Sequence, residues 1–248
     1  MPQSPHQLLQ LLLLLAVLVN VLDARQKAVR RDGDGHKEPS LLTQVVYKTN
    51  EGFDFGAHGT MVKEISKQAM GYEYYIFLNC GVIGPIVPSY LDTSKWHWSS
   101  AFTDKMVNNV ALVGTSIVCL PLDDESGQLG PKVEGFAFAL SSDALTMVMD
   151  AGTIFTDHKD KTAAIIEGEY NLTTQVTKRF GLDCLLKAYQ GWDWTDESNW
   201  NCNSYIHPTK GNYFGMHIHP YETIFHKQHW VTPSANPKKW QWELNVSR

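Results

Sequence analysis

The stretch Tyr47–Pro85, YKTNEGFDFGAHGTMVKEISKQAMGYEYYIFLNCGVIGP, decides the fold class. It begins as an extended run and enters a turn carrying Asn50, Gly52 and Asp54. Met61, Val62, Ile65 and Ala69 then recur at helical spacing, which predicts a helix over Gly56–Met70. Tyr72–Leu78 is nearly all apolar, as a strand covered on both faces reads. It runs into a second turn with Asn79, Gly81, Gly84 and Pro85. Strand, turn, helix and strand in alternation point to an α/β sheet. Ligands in such sheets sit outside the carboxyl ends of the strands. Both turns fall at such ends, so the chemistry is expected where they meet.

The rest of the chain extends this pattern. Leu42–Tyr47 precedes the first turn as a strand candidate, and Val110–Leu120 and Val133–Leu140 are two more buried-strand runs. Ala101–Asn108 suits a short helix. Ser141, Ser142 and Asp143 cap a helix that reaches Met149. Further helices are expected over Lys159–Glu169, Thr173–Phe180 and Cys184–Tyr189. Gly84–Trp98, Leu122–Pro131 and the Trp-, His-, Asn- and Pro-rich tail from Gly191 read as loops. The expectation is one α/β domain over 41–248, a three-layer sandwich around a mostly parallel sheet.

Composition sets the outer bounds. The chain has 248 residues and is 43% hydrophobic, too apolar for a disordered polypeptide. Its net charge of -5 argues against a nucleic-acid partner, which needs a basic surface. Leu8–Leu22, LLQLLLLLAVLVNVL, is an apolar run of about 15 residues, short for a span and typical of a signal segment. Residues 1–24 are therefore expected to be a signal peptide, cut after Ala24, or a signal anchor holding the protein to the membrane. Residues 25–40, with Arg25, Lys27, Arg30 and Arg31, form a charged linker. Sequons at Asn171 and Asn245 fit a lumenal fate, in the Golgi or endoplasmic reticulum or secreted. In that setting Cys80, Cys119, Cys184 and Cys202 allow one or two disulfides in any of three full pairings, or buried thiols.

The two turns, taken with later segments, resemble the glycosyltransferases of the GT-A fold. The similarity is to a eukaryotic set of secretory glycosyltransferase-like proteins and, more remotely, to rhamnan-synthesis-type transferases. It rests on Asn50-Glu51-Gly52-Phe53-Asp54, on Leu78-Asn79-Cys80-Gly81 and on VGTSIVC over 113–119. It continues through KVEGFAFA over 132–139, IEGEYNL over 166–172, GLDCLL over 181–186, YQGWDW over 189–194 and HPYETIFHK over 219–227. The resemblance implies transfer of a sugar from a nucleotide-sugar donor to a glycan acceptor. Asn50, Gly52, Asp54, Asn79 and Gly81 would bind the donor. Glu169 would be the general base, with Glu167 as runner-up. The resembled pattern also carries a metal-binding aspartate where this chain has Gly81. A divalent manganese or magnesium ion would then need another ligand, or protein cations would substitute. The chain also looks short at its front, as though part of the nucleotide-binding half were missing.

Each of these residues has a plainer reading. Asn50 and Asp54 are common helix caps, and Glu167 and Glu169 suit a solvated helix surface. Trp96, Trp98, Trp192 and Trp194 have rings that could stack on an acceptor sugar, or could pin loops to the core. Asp123, Asp124 and Glu125 read as a solvated acidic loop. His217-Ile218-His219, with His226 and His229 beyond, is weak metal-site spacing that would suit a metal-dependent hydrolase. The competing reading of the whole chain is a non-catalytic secreted saccharide-binding protein.

Overall fold

The computed structural model describes Val46, Lys48 and residues 51–67, 72–209 and 211–227. The leader 1–24, the linker 25–40, most of the Leu42–Tyr47 strand, Asn50, His229 and the Asn245 sequon lie outside the described residues.

Helix α1 covers Phe53–Ser66, starting three residues before the expected helix. Gly52 caps it at φ 77, a left-handed conformation that glycine adopts without strain. One side of α1 lies against the backbone of Phe155–Asp157. A Cβ on Gly59 would stand 2.1 Å from the Phe155 carbonyl oxygen, and one on Gly56 2.2 Å from Asp157 Oδ1. A Cβ on Gly52 would meet the same carboxylate at 2.0 Å. The space expected at Gly52 for a donor is thus filled by Asp157, which also pairs with Lys48 at 2.6 Å.

Strands β1 (Tyr74–Leu78) and β2 (Val82–Ile83) flank the second turn. After α2 (Ser100–Thr103) come β3 (Val110–Gly114), β4 (Ile117–Leu120), β5 (Gly130–Val133) and β6 (Ala137–Ser141). Helix α3 (Ser142–Ala151) follows directly, with Ser141 Oγ accepting the Ala144 N–H as its cap. Then α4 (Lys161–Ala163), a π-helical segment (Ala164–Tyr170) and α5 (Asn171–Val176) form one continuous helical run. Strand β7 (Gly181–Cys184), α6 (Pro220–Thr223) and β8 (His226–Lys227) complete the order.

The main sheet is ordered β1-β6-β3-β7. Strand β6 is antiparallel to both β1 and β3, and only β3 and β7 pair in parallel. The fold is α/β, but its sheet is mixed and mostly antiparallel in pairing, which corrects the expectation of a mostly parallel one. The reason is two-sided burial, which gives continuous apolar runs whatever the strand direction. Phe77, Leu112, Phe138, Leu140 and Leu182 face one core cluster, shared with Phe55 of α1, Val148 of α3 and Leu172 of α5. Ile76, Leu78, Val113, Ala137 and Ala139 face a second, shared with Phe102 and Phe225.

The expected strands Val110–Leu120 and Val133–Leu140 are each broken. Strands β3 and β6 are the arms of a long hairpin whose far end, β4 with β5, is a separate ladder. At the break, Thr115 N donates to Ala137 O at 3.1 Å and Glu134 N donates to Ser116 O at 3.2 Å. Between the pairs Gly114–Phe138 and Ile117–Val133, the two residues Thr115 and Ser116 therefore face four, Glu134–Ala137, and the surplus is accommodated as a β-bulge over Glu134–Phe136. The expected helix over Cys184–Tyr189 is also corrected: Cys184 ends β7, and Lys187–Tyr189 is a single 3-10 turn. Cys119 in β4 is bonded to Cys202, while Cys80 and Cys184 are free. Among the described residues no helix is long and apolar enough to cross a membrane.

Candidate functional site

Strands β1, β3 and β7 point the same way, and β6 starts at the edge where they end. Asn79 follows β1, Ser116 follows β3 and Glu134–Phe136 lead into β6, so all of them gather at this edge. Asn79 is fixed there by its N–H, which donates to Phe136 O at 3.0 Å. Its side-chain oxygen accepts the Gly81 N–H at 2.9 Å, and its amide nitrogen donates to Asp54 Oδ2 at 3.1 Å. The first turn of α1 and the turn after β1 thus meet in a single hydrogen bond. Burial raises the Asp54 carboxyl above its ordinary range, with the Asn79 bond and the nearby Lys227 charge opposing.

Glu169 reaches the same edge from the π-helical segment. Its Oε1 accepts the Gly135 N–H of the bulge at 2.8 Å. Gly135 must be glycine for this approach: a Cβ there would stand 2.7 Å from the Phe55 ring and 3.2 Å from Glu169 Cδ. Burial raises the Glu169 carboxyl; the Gly135 bond opposes this, and the charge on Glu134 adds to it. The π-segment is itself informative, because such wide turns are rare and recur at functional sites. Its Gly168 sits against His158 and Phe55, where a Cβ would fall 2.9 Å from His158 Nε2.

Glu134 is 5% exposed and doubly engaged. One oxygen takes the Ser116 hydroxyl, and the other lies 3.3 Å from His207 Nδ1. That bond raises the His207 ring above the usual histidine value against the effect of burial. Lys227 comes from β8, which pairs with β2 so that Lys227 stands opposite Val82. Its ammonium lies 5.3 Å over the Phe136 ring centroid and acts on both Asp54 and Glu169. The edge therefore holds two carboxyls raised by burial, the buried Glu134 and two basic side chains, Lys227 and His207.

Among the sequence-derived candidates, Asp54, Asn79, Gly81 and Glu169 come together here, while Asn50 is outside the described residues. Glu167 is exposed and lies 3.9 Å from His158 Nδ1, apart from the Glu169 cluster. The tryptophans divide. Trp96 and Trp98 pack on the second core cluster, Trp98 meeting Phe225 edge-on at 5.0 Å. Trp192 leans on Tyr189 at 4.8 Å. Trp194 is 6% exposed inside the first cluster, so it offers no ring face to an acceptor sugar and is corrected to a core residue. His217 is exposed and His219 caps α6, accepting the Tyr221 N–H at 3.2 Å. Asp124 accepts the Ser126 N–H at 2.9 Å as a loop cap. Asn171 sits in α5, and the Thr173 hydroxyl of its sequon is buried and accepts Val133 N–H at 2.9 Å.

Glu134, His207 and Lys227 were not singled out from sequence. Glu134 carried a signal, a charge beside glycine inside an otherwise apolar run. Lys227 ends the HPYETIFHK segment, and His207 had no signal.

Among the described residues this edge presents no ready cage for a divalent ion. The Oδ2 atom of Asp54 accepts from Asn79, Oε1 of Glu169 accepts from Gly135, and Gly81 has no side chain. Lys227 already acts on both carboxyls, and no group of three or more His, Cys, Asp or Glu converges among the described residues. Compared with known proteins, the chain significantly matches no family model, no curated protein and no solved structure.

Proposed function

We propose that this protein is a secretory-pathway glycosyltransferase of GT-A type, moving a sugar from a nucleotide-sugar to a glycan acceptor. The observation that carries the reading is the Asn79–Asp54 hydrogen bond, which joins the two turns at the strand edge that Glu169 also reaches. In the reaction, the acceptor hydroxyl oxygen attacks the anomeric carbon. The bond from that carbon to the phosphate oxygen breaks, and its electron pair leaves with the nucleoside diphosphate. The hydroxyl proton passes to Glu169. A carboxyl raised by burial suits this, because a base works best when its pKa lies near the working pH. Asp54 and Asn79 would orient the donor. Trp96, Trp98 and Trp192 keep partly exposed rings for the acceptor. The Cys119–Cys202 disulfide supports an oxidising compartment.

One observation favours the competing saccharide-binding reading: the Gly135 N–H occupies one oxygen of Glu169, as a purely structural clip would. The two readings separate in one assay. Purified protein is incubated with a panel of nucleotide-sugars and glycan acceptors, and product is read by mass spectrometry. Transfer by the wild type, with Glu169→Gln slower by roughly 10²–10⁴-fold at unchanged melting temperature, supports catalysis. Glycan binding without turnover of any donor refutes it.

A further inference from the structure

We propose that the diphosphate of the nucleotide donor is held by two protein cations, Lys227 and His207, in the place a divalent metal would take. The inference rests on the transferase reading and adds to it how the leaving group is stabilised. Three observations converge. The turn after β1 carries Gly81 where the resembled pattern has a carboxylate, so it supplies no carboxylate ligand at that position. The β2–β8 ladder delivers Lys227 beside that turn, opposite Val82 and only one residue from Gly81. Among the described residues the Lys227 ammonium makes no ion pair or hydrogen bond; it rests over the face of the Phe136 ring, 5.3 Å from the centroid.

The second cation comes from the loop after Cys202. Glu134 and Ser116 fix His207 through Nδ1, and its side chain keeps 52% exposure, with no further hydrogen-bond partner among the described residues. His207 acts on Glu169, as Lys227 does, so both cations face one carboxyl. An anion bound beside Lys227 would give its ammonium the ion-pair partner that it lacks among the described residues, with His207, already held by Glu134, as a second donor. Positioned donors aimed at a leaving group are worth most where charge develops, which here is the bridging phosphate oxygen.

The test is calorimetric titration of the full chain with uridine diphosphate and guanosine diphosphate, in EDTA and then with manganese. The expected result is binding of at least one nucleotide in EDTA, unchanged by manganese. Lys227→Met keeps an unbranched side chain on β8 and removes the charge, and His207→Gln removes the second cation. Each is expected to weaken binding about 10- to 100-fold, the loss of one charge-assisted bond, and Lys227→Arg to restore it. Melting temperatures of all variants check folding, and the Arg variant keeps the test decisive if Met unfolds the strand. Binding that requires manganese overturns the two-cation site and leaves the transferase reading standing. Binding in EDTA that ignores both substitutions overturns it equally. No binding of either nucleotide under either condition removes both the site and the transferase reading.

Discussion

His58 is fully buried on α1, boxed by Phe55, Phe77, Phe138 and Phe155 at ring distances of 5.1–6.1 Å. Neither of its ring nitrogens has a hydrogen-bond partner among the described residues. Burial alone lowers its pKa from 6.5 to about 4. The perturbation is His58→Met, close in volume and suited to aromatic neighbours. At neutral pH the imidazole is uncharged in both folded and unfolded chains, so the substitution relieves only unmet hydrogen bonding, about 1–3 kcal/mol of stabilisation. Below the unfolded pKa of 6.5 the sign is set by proton uptake: the unfolded chain binds a proton that the folded chain rejects until about pH 4. Wild-type stability therefore falls with acidification across that window. At about 1.4 kcal/mol per tenfold step in proton affinity, a drop from 6.5 to about 4 costs about 3 kcal/mol. The Met variant has no such term, so its advantage should widen by that amount between neutrality and pH 4. The assay is urea unfolding of both proteins at several pH values, comparing midpoints at matched slopes. The other nine histidines cancel in the difference. An advantage that stays flat across the window, or an NMR titration of His58 near its ordinary value, would refute the reasoning.

Three further outcomes follow from close contacts. Gly59→Ala places a Cβ 2.1 Å from a backbone oxygen of Phe155, so α1 must move; unfolding stability should drop by at least about 1–3 kcal/mol, and a neutral result would contradict the packing. Gly81→Asp meets nothing closer than Asn79 Oδ1 at 3.4 Å, so it should fold with stability changed by no more than about 0.5 kcal/mol; a large loss on denaturation would show that the turn itself demands glycine. Cys202→Ser opens a link between residues 83 apart, for which chain entropy alone gives about 4–5 kcal/mol, and a melting temperature unmoved by the substitution or by dithiothreitol would exclude that bond.

Much of the architecture was legible because it is written in local chemistry. The helix after Gly52, the buried β1 run and the Ser141 cap follow from periodicity and capping, which act over a few residues. Strand direction was not legible. Ala137–Leu140 and Val110–Val113 are apolar because both sheet faces are covered, and that burial is blind to polarity of the chain. The bulge at Glu134–Phe136 was hidden for a related reason: it interrupts pairing without interrupting hydrophobicity, since Phe136 is as buried as its neighbours. The π-segment left one trace, Gly168 between two glutamates, where a helix interior gives up about 1 kcal/mol relative to alanine. That glycine makes sense only once His158 and Phe55 are seen against it.

The same separation explains which site residues could be found. Asp54, Asn79 and Glu169 stand in turns or in segments whose residue types draw notice, and long-range pairing then brings them together. His207 could not be found that way, because its place is set by distant contacts. Cys202, five positions before it, is bonded to Cys119 of β4. Strand β4 pairs with β5, and the residue after β5 is Glu134, which holds the His207 ring. Disulfide, ladder and hydrogen bond thus close a ring around a loop whose Cys202–Tyr205 part is a kinked 3-10 stretch. Within that loop Asn203, Ser204 and Tyr205 all take positive φ, conformations that non-glycine residues seldom adopt unaided. The contacts closing the ring hold the backbone there, and with it the imidazole that Glu134 engages. Stability and chemistry at this edge therefore share one set of constraints, and loosening the loop should disturb the charge pattern before it disturbs the sheet.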